Sequence, residues 1–217
     1  MAARRPLAVT TVLLVRHGAT DWNVAMRAQG QCDIPLNDLG RSQAREVAAA
    51  LAGLDVAAVY SSDLARARHT ADAIAAAHGL EVTTDGAFRE IDQGEWTGLT
   101  DEEIRRRWPE RWGTMRHHTA RPGGESPEQV CRRALTGLRR VVTTHPEGVV
   151  VVVSHGAAIR TLVAEALGYR GRAAARVRGL ANGGIVSVTA EADGAGVLLS
   201  DLQRWDGRTP ARDDPNQ

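Results

Sequence analysis

The 217-residue sequence has only two cysteines, no lysine and no long hydrophobic run. Cys32 and Cys131 are too few for a disulfide framework and lack the C-x-x-C spacing of zinc or redox sites, so we expect two free thiols in a reducing cytoplasm. No stretch reaches the roughly 18 apolar residues of a membrane span, and no small-residue cleavage site follows the N-terminal arginines. We therefore expect a soluble, cytoplasmic protein without a secretion signal.

Net charge is also nearly absent, because 27 Lys+Arg face 26 Asp+Glu, which gives +1. This balance creates no global field that would favour nucleic acid or an anionic membrane as a partner. The basic residues are arginines, whose planar guanidinium groups match phosphate and carboxylate geometry. With 43% hydrophobic residues the chain can form one sizeable core. We expect a single domain over residues 1–205 and a disordered polar tail over 206–217.

Two apolar stretches end in the same way. Residues 12–15 and 149–153 have the composition of fully buried strands, and each runs into a short polar turn. The two turns read Arg16-His17-Gly18 and Ser154-His155-Gly156. Open α/β sheets bind ligands just outside the carboxyl ends of their strands. A single His-Gly turn is more often structural than catalytic, but two of them predict one site that holds two imidazoles.

The rest of the chain alternates between strand and helix patterns. Further strands are predicted over 56–60, 81–83, 184–188 and 197–202, and helices over 38–51, 64–78, 100–108, 127–144 and 157–167. Asn37 or Asp38 can cap the first helix, and Ser62 or Asp63 the second. The alternation predicts an α/β fold, a three-layer α/β/α sandwich with a mostly parallel central sheet and an antiparallel edge.

A basic segment with two tryptophans and paired histidines extends over residues 105–121, before Pro122-Gly123-Gly124. Basic residues interleaved with aromatic ones can indicate a nucleic-acid surface. The neutral net charge instead favours a lid or insertion, about residues 105–125, whose arginines are solvated. Such a lid would set the choice of substrate, and its arginines suggest a second anionic group on that substrate.

The predicted site suits phosphoryl transfer, which depends on positioning and on stabilising negative charge at three equatorial oxygens. Arg16, Arg66 and His155 are suitable donors, and Arg66 falls in the first turn of a helix, where an anion is already favoured. His17 can attack as a nucleophile. Glu90 is our choice for the acid that protonates the leaving group, with Asp92 and Glu95 as competitors.

Together these residues resemble the histidine phosphatase superfamily, also called phosphoglycerate-mutase-like, from about residue 12 to about 188. Its motifs occur in family order: Arg16-His17-Gly18 with Asn23, the segment 61–67, Glu90 before Gly94, Gly123-Gly124-Glu125-Ser126, and Ser154-His155-Gly156. The resemblance implies a phosphoglycerate-mutase-like fold, a phosphohistidine at His17 and Glu90 as proton donor. It also implies a phosphate pocket without metal or cofactor, formed by Arg16, Asn23, Gly30, Arg66, His155 and Gly156.

Within that family, the sequence departs from the cofactor-dependent mutases at two positions. Gln93 stands where they have a tyrosine, and Ala157 where they have an asparagine. Residues 90–100 are instead similar to small bacterial broad-specificity phosphatases, whose relatives act on sugar phosphates, phosphoglycerate esters and α-ribazole phosphate. The resemblance therefore implies a phosphomonoesterase that acts on a small phosphorylated metabolite, with a phosphoglycerate mutase as the alternative.

Two more distant alternatives belong to other classes. A metallohydrolase could use His17, His155 and Glu90 as zinc ligands, although the adjacent arginines would repel a dication. A phosphate-binding module without turnover would be favoured if a nucleophile or an acid were missing, and the sequence offers both. The oligomeric state cannot be read from the sequence, and a homodimer is compatible with it.

Overall fold

The computed structural model describes residues 9–110, 119–194, 196–205 and 210–212. In these residues seven strands form one sheet: β1 (Thr10–Arg16), β2 (Val56–Ser61), β3 (Val82–Thr84), β4 (Gly148–Ser154), β5 (Ile185–Asp193), β6 (Gly196–Trp205) and β7 (Pro210–Arg212). Their order is β3-β2-β4-β1-β5-β6-β7. The strands β3, β2, β4 and β1 are parallel, and β5, β6 and β7 continue the sheet in antiparallel fashion.

The two strands with His-Gly turns are neighbours. β1 and β4 pair in parallel without a break in register, from Thr10 opposite Gly148 to Arg16 opposite Ser154. Because the register is continuous, His17 and His155 leave the sheet side by side at its carboxyl edge. The fold thus brings the two turns into one place, as the sequence predicts.

Helices cover both faces of the sheet. The described helices are α1 (Asp21–Val24), α2 (Asp38–Leu51), α3 (Ala65–His78), α4 (Asp101–Arg107), α5 (Pro127–Thr144) and α6 (Gly156–Ala166), with short 3-10 helices at Gly86–Phe88, Gly94–Trp96 and Gly171–Arg176. α2 and α3 pack together on one face, and α5 and α6 on the other. This arrangement confirms the predicted three-layer α/β/α fold.

Alternation along the central strands divides the core in two. In β1, Val12 and Leu14 contact the α5 and α6 side, whereas Leu13 and Val15 contact the α2 and α3 side. The five valines of β4 alternate in the same way, and the four from Val150 to Val153 are completely buried. A sheet buried on both faces needs apolar residues at every position, which explains why these strands read as continuous hydrophobic runs.

Several local expectations need correction. Neither Ser62 nor Asp63 caps α3: the N-cap is Leu64, and the Ala65 N–H donates to Oδ1 of Asp33 at 2.7 Å, because the loop after β1 approaches the start of this helix. α1 and β7 also form where a loop and a disordered tail were expected, and the remaining tail, residues 206–209 and 213–217, lies outside the described residues. In the described ranges, no helix is long and apolar enough to cross a membrane.

Candidate active site

The turn after β1 is fixed by close backbone packing against α2. A Cβ on Gly18 would lie 2.3 Å from the Gly40 carbonyl oxygen, and a Cβ on Gly40 would lie 2.0 Å from the Ala19 carbonyl oxygen. Both positions therefore require glycine. The Gly18 N–H also donates to Oγ1 of Thr70 on α3, at 3.2 Å. Two helices on one face of the sheet thus hold the backbone of the first His-Gly turn.

In the His17 ring, a hydrogen bond holds one nitrogen and the other nitrogen is available to a ligand. Its Nδ1 lies 2.6 Å from the Gly18 carbonyl oxygen, and because a carbonyl only accepts, Nδ1 carries the hydrogen. Nε2 then retains its lone pair. Burial lowers the pKa of His17 well below its ordinary value, and the charges of Arg66 and Arg16 lower it further. His17 is therefore neutral at physiological pH, as a nitrogen nucleophile must be.

His155 lies beside His17, with the ring centroids 5.0 Å apart and the ring planes tilted by 59°. It is completely buried, and neither of its ring nitrogens has a hydrogen-bond partner in the described protein. Burial lowers its pKa well below the ordinary value, and the charge of Arg66 adds to this effect. His155 is thus a neutral imidazole with an N–H that a ligand can accept from.

Arg66 is completely buried in the first turn of α3. Its Nη1 donates to the Cys32 carbonyl and its Nη2 to the Gly30 carbonyl, both at 2.7 Å, while Nε has no partner in the described chain. Two of five N–H donors are therefore used to hold the guanidinium in place. Gly30 has a φ of +53°, the left-handed conformation that favours glycine, and the structure places its carbonyl on Arg66.

Arg16 is held in a similar way from the opposite side. Its Nη1 donates to the Leu180 carbonyl at 2.5 Å, and its buried Nε has no partner in the described chain. A Cβ on Gly156 would lie 3.4 Å from its Cζ, so Gly156 gives the guanidinium room. Burial lowers the pKa of both Arg16 and Arg66, yet a guanidinium stays charged at physiological pH.

Glu90 lies at the amino end of α6. Its carboxylate accepts hydrogen bonds from the backbone N–H groups of Ile91 (2.8 Å), Ala157 (3.1 and 3.2 Å) and Ala158 (3.3 Å). The competing carboxylates point elsewhere: Asp92 Oδ1 accepts from the Gly94 N–H at 2.9 Å, and Glu95 is exposed.

Asn23 belongs to a capping box with Thr20 at the start of α1, and its Oδ1 also accepts from Nδ2 of Asn182 at 3.2 Å. Asn182 Nδ2 further contacts the carbonyls of His17 (3.0 Å) and Gly18 (3.4 Å). The Oδ1 of Asn23 is therefore fully engaged, which leaves its Nδ2 as the end that can donate to a ligand. Asn182 was not predicted as a site residue, although the turn signal Asn182-Gly183-Gly184 before β5 marks its position.

A cavity of about 340 Å³ joins these groups. Every predicted site residue except His155 lines it, and His155 lies beside His17: the lining includes Arg16, His17, Asn23, Gly30, Arg66, Glu90 and Gly156. The remainder of its wall includes Trp22, Met26, Gln93, Trp96, Asp101, Ile104, Arg121 and Arg160. The structure thus brings the predicted phosphate-binding residues and the predicted acid together at one opening.

The basic segment 105–121 is only partly solvated. Arg105, Arg106 and Arg107 are exposed at the end of α4, but Arg121 is only 6% exposed. Its Nε donates to Oε1 of Gln93 at 3.2 Å, and its guanidinium lies 5.1 Å from the centre of the Trp96 ring. The expectation of solvated arginines is therefore wrong at Arg121, because a planar cation can stack on an aromatic ring at the cavity wall. Residues 111–118 lie outside the described residues.

Comparison with known protein families shows to which family the chain belongs. Residues 12–202 match the family model of the histidine phosphatase superfamily, branch 1. The chain belongs to this superfamily. The match runs from within β1 through most of β6 and includes every predicted site residue. As a histidine phosphatase superfamily member, the protein is an enzyme of the hydrolase and phosphatase type.

Known relatives of this histidine phosphatase differ in the activity they are named for. Phosphoglycerate mutase-like protein 4 of Arabidopsis thaliana is 42% identical over 157 residues, 70% of this chain and 68% of that protein. Phosphoserine phosphatase 1 of Hydrogenobacter thermophilus is 38% identical over 160 residues, 72% and 76% of the two chains. A mycobacterial glucosyl-3-phosphoglycerate phosphatase in complex with VO3 has a TM-score of 0.83 and 32% identity, covering 90% of this chain and 98% of that one.

A zinc site formed by His17, His155 and Glu90 has no support in the geometry of this histidine phosphatase. In the described ranges, no three His, Cys, Asp or Glu side chains are grouped as metal ligands. The two imidazoles face two guanidinium groups instead, and these lower the pKa of both rings. The donor set therefore suits an anion.

Proposed function

We propose that this protein is a phosphomonoesterase that hydrolyses small phosphate esters through a phosphohistidine at His17. The observation that carries the proposal is the state of the His17 ring: Nδ1 is fixed on the Gly18 carbonyl, and Nε2 is free beside the buried Arg66 and the half-buried Arg16. Arg16 Nε, Arg66 Nε and the His155 ring nitrogens lack protein partners in the described chain. A bound phosphoryl group supplies the acceptors that these buried donors need.

In the first step, Nε2 of His17 attacks phosphorus and the ester P–O bond breaks. Charge develops on the equatorial oxygens, which Arg16, Arg66 and His155 stabilise by donating hydrogen bonds. Glu90, at the same cavity, donates its proton to the departing alkoxide. The products are an alcohol, a phosphohistidine and an ionised Glu90.

In the second step, water attacks the phosphohistidine. The Glu90 carboxylate accepts the proton of that water, the N–P bond breaks, and inorganic phosphate and neutral His17 are released. Glu90 is then protonated for the next turnover. Both steps need no group beyond the residues at the cavity and water, so we expect chelators to leave activity unchanged.

The substrate class follows from the size and lining of the cavity. A volume of about 340 Å³ is at the small end of ligand sites and suits a metabolite phosphate rather than a phosphoprotein. The relatives named for phosphoserine and for glucosyl-3-phosphoglycerate point to the same class. Arg121 at the cavity wall is the residue through which we expect a second anionic group to be recognised.

A phosphoglycerate mutase is the second candidate, because several relatives are named as probable phosphoglycerate mutases or as mutase-like. A mutase must retain a bisphosphorylated intermediate and exclude water from the phosphohistidine. Gln93 and Ala157 replace the tyrosine and asparagine of the mutase pattern. Gln93 Oε1 is engaged with Arg121, and Ala157 contributes only its backbone N–H, to Glu90. These contacts favour hydrolysis over retention of an intermediate.

The test is to incubate the protein with 3-phosphoglycerate and catalytic 2,3-bisphosphoglycerate, and to follow both 2-phosphoglycerate and free phosphate. Sugar and nucleotide monophosphates, phosphoserine and a chelator control are assayed in parallel. We expect phosphate release from several esters, and strong inhibition by vanadate, which the mycobacterial relative binds. Isomerisation that greatly outruns phosphate release, with no other ester hydrolysed, would establish the mutase instead.

A further inference from the structure

The acid Glu90 is carried by a segment that has no regular structure of its own. It follows the 3-10 helix Gly86–Phe88 and precedes the 3-10 helix Gly94–Trp96. General acid catalysis requires the carboxyl group to be placed within hydrogen-bond reach of the leaving oxygen. Contacts from elsewhere in the chain must therefore hold this backbone in place.

Arg133 on α5 provides those contacts. Its Nη1 donates to the carbonyls of Ala87 (2.9 Å) and Arg89 (2.7 Å), and its Nη2 donates to the carbonyl of Glu90 itself (2.9 Å). The remaining two donors form a fork with Glu125, Nε to Oε1 and Nη2 to Oε2, both at 2.9 Å. All five guanidinium hydrogens are thereby used, and three of them hold the acid-bearing backbone.

Glu125 completes the support from the other side. Its Oε2 accepts from the Asp92 N–H at 2.9 Å and lies 3.5 Å from Nε2 of Gln31. Burial alone would raise the pKa of Glu125, but the hydrogen bonds from Arg133 and the Asp92 N–H hold it below its ordinary value, so the pair stays ionised. The Arg133–Glu125 pair therefore contacts the backbone on both sides of Glu90.

We propose that the Arg133–Glu125 pair is a positioning device that holds Glu90 for proton delivery to the leaving group. The inference rests on the proposed function, since it assigns work to the acid of that reaction. Neither Arg133 nor Glu125 lines the described cavity, so neither is placed to contact the substrate. A lysine at position 133 cannot replace the device, because it has three donors on a flexible stem in place of a planar fork.

The test compares two substrates, p-nitrophenyl phosphate, whose phenolate leaves without a proton, and an alkyl phosphate, whose alkoxide needs one. A displaced acid costs about 10²-fold in rate, so the first-turnover rate of alcohol release from the alkyl ester should fall by about that factor in Arg133→Lys and Arg133→Gln. The first-turnover rate of p-nitrophenolate release should fall by less than about threefold, because that step needs no acid, and substrate affinity should change little. Pre-steady-state rates are compared because water attack on the phosphohistidine uses Glu90 with both esters. Glu125→Gln should change the ratio of the two rates in the same direction, because an amide cannot accept from all four donors that face the carboxylate.

Arg132→Gln is the matched control. Arg132 is the adjacent residue on α5, its side chain is 74% exposed, and its recorded ion pair is with Glu128 on the same helix. We expect this variant to have the wild-type ratio of the rate on the alkyl phosphate to the rate on p-nitrophenyl phosphate. Thermal melting of each variant separates a loss of fold from a loss of positioning, since unfolding lowers both activities together.

A double variant decides whether Arg133 acts through Glu90. If it does, Arg133→Lys should have almost no further effect on the alkyl ester when Glu90→Gln is already present. A selective loss in Glu90→Gln alone, with equal losses on both substrates in Arg133→Lys, overturns the positioning role and leaves the proposed function intact. If the losses of the two single variants multiply in the double variant, the positioning role is overturned as well. No selective loss in either single variant overturns the acid role of Glu90 and the positioning role together.

Discussion

The two halves of the active site are built in different ways. Arg16, His17 and His155 follow directly from the ends of two paired strands, and Arg66 begins a helix that packs on them, so the phosphate half inherits the rigidity of the sheet. His17, Arg66 and His155 are 3%, 0% and 0% exposed. Glu90 instead lies on an irregular segment and is half-buried. The leaving-group half depends on side chains such as Arg133 from distant parts of the chain.

This difference separates the residues that carry out the reaction from the residues that select the substrate. The phosphoryl group, which all phosphate esters share, is bound by residues that the sheet and α3 hold most rigidly. The variable part of the ester faces loops, α1, α4 and Arg121, where substitutions change the cavity without disturbing the core. Changes in the phosphate half should therefore lower activity on every ester, and changes in the leaving-group half should alter the relative rates of different esters.

The largest effect is expected at the nucleophile. His17→Ala removes the only nitrogen proposed to accept the phosphoryl group, so kcat should fall at least about 10⁴-fold on all esters. Initial rates with p-nitrophenyl phosphate and an alkyl phosphate measure this. His69→Ala, at an exposed position on α3, is the control and should keep wild-type rates. Substantial residual turnover in His17→Ala would remove His17 from its role.

Arg66→Lys should have the next largest effect within the phosphate half. A lysine cannot contact the Gly30 and Cys32 carbonyls and still donate in a fork to equatorial oxygens, so kcat should fall about 10² to 10³-fold. KM should rise less than kcat falls, because the fork recognises charge that develops in the transition state. The loss should be the same for good and poor leaving groups. An unchanged kcat would contradict the assignment.

Glu90→Gln should distinguish the two halves of the site most clearly, because its effect should depend on the leaving group. We expect about a 10²-fold or larger loss on alkyl phosphates and a much smaller one on p-nitrophenyl phosphate in the first chemical step. Pre-steady-state release of alcohol and of p-nitrophenolate isolates that step. Glu95→Gln, in the 3-10 helix Gly94–Trp96 that follows this segment, is at an exposed position; it is the matched control and should behave as wild type. Equal losses on both esters would place the acid elsewhere.

The smallest effect concerns stability. The pKa of His17 and of His155 is lowered in the folded protein, chiefly by burial, whereas in the unfolded chain it is about 6.5. Below about pH 6.5 the unfolded state therefore binds more protons, and the free energy of unfolding decreases as pH falls, by up to about 1.4 kcal/mol per pH unit for each histidine. Denaturant unfolding between about pH 7 and 5 should show a shallower decrease in His155→Gln than in wild type. Identical slopes would contradict buried, neutral imidazoles.

The phosphate half could be predicted from the sequence because its signals are local. A buried strand followed by a histidine and a glycine marks a sheet edge, and the capping boxes at Thr100 and Ser126 correctly mark the starts of α4 and α5. Chain order alone then predicts the α/β alternation. The pairing of β1 with β4, which places His17 beside His155, agrees with the sequence prediction that the two His-Gly turns share one site.

The contacts that hold the site could not be predicted, because they join residues far apart in the sequence. Arg133 and Glu90 are separated by 43 positions, and Asn182 and His17 by 165. An arginine on a helix reads as a solvated residue unless the carbonyls facing it are known. The cap of α3 was mispredicted for the same reason, since the carboxylate that accepts from Ala65 belongs to the distant Asp33.

The most direct test of the account is to trap the phosphoryl group on His17. Wild type and Glu90→Gln are mixed for milliseconds with ³²P-labelled p-nitrophenyl phosphate, whose first step needs no acid, then quenched in alkali and digested for peptide mapping by mass spectrometry. We expect an alkali-stable, acid-labile phosphoryl group on His17, in greater amount in Glu90→Gln because water attack lacks its base. Rapid turnover with no label on His17 at any quench time, or label on a different residue, would contradict the account.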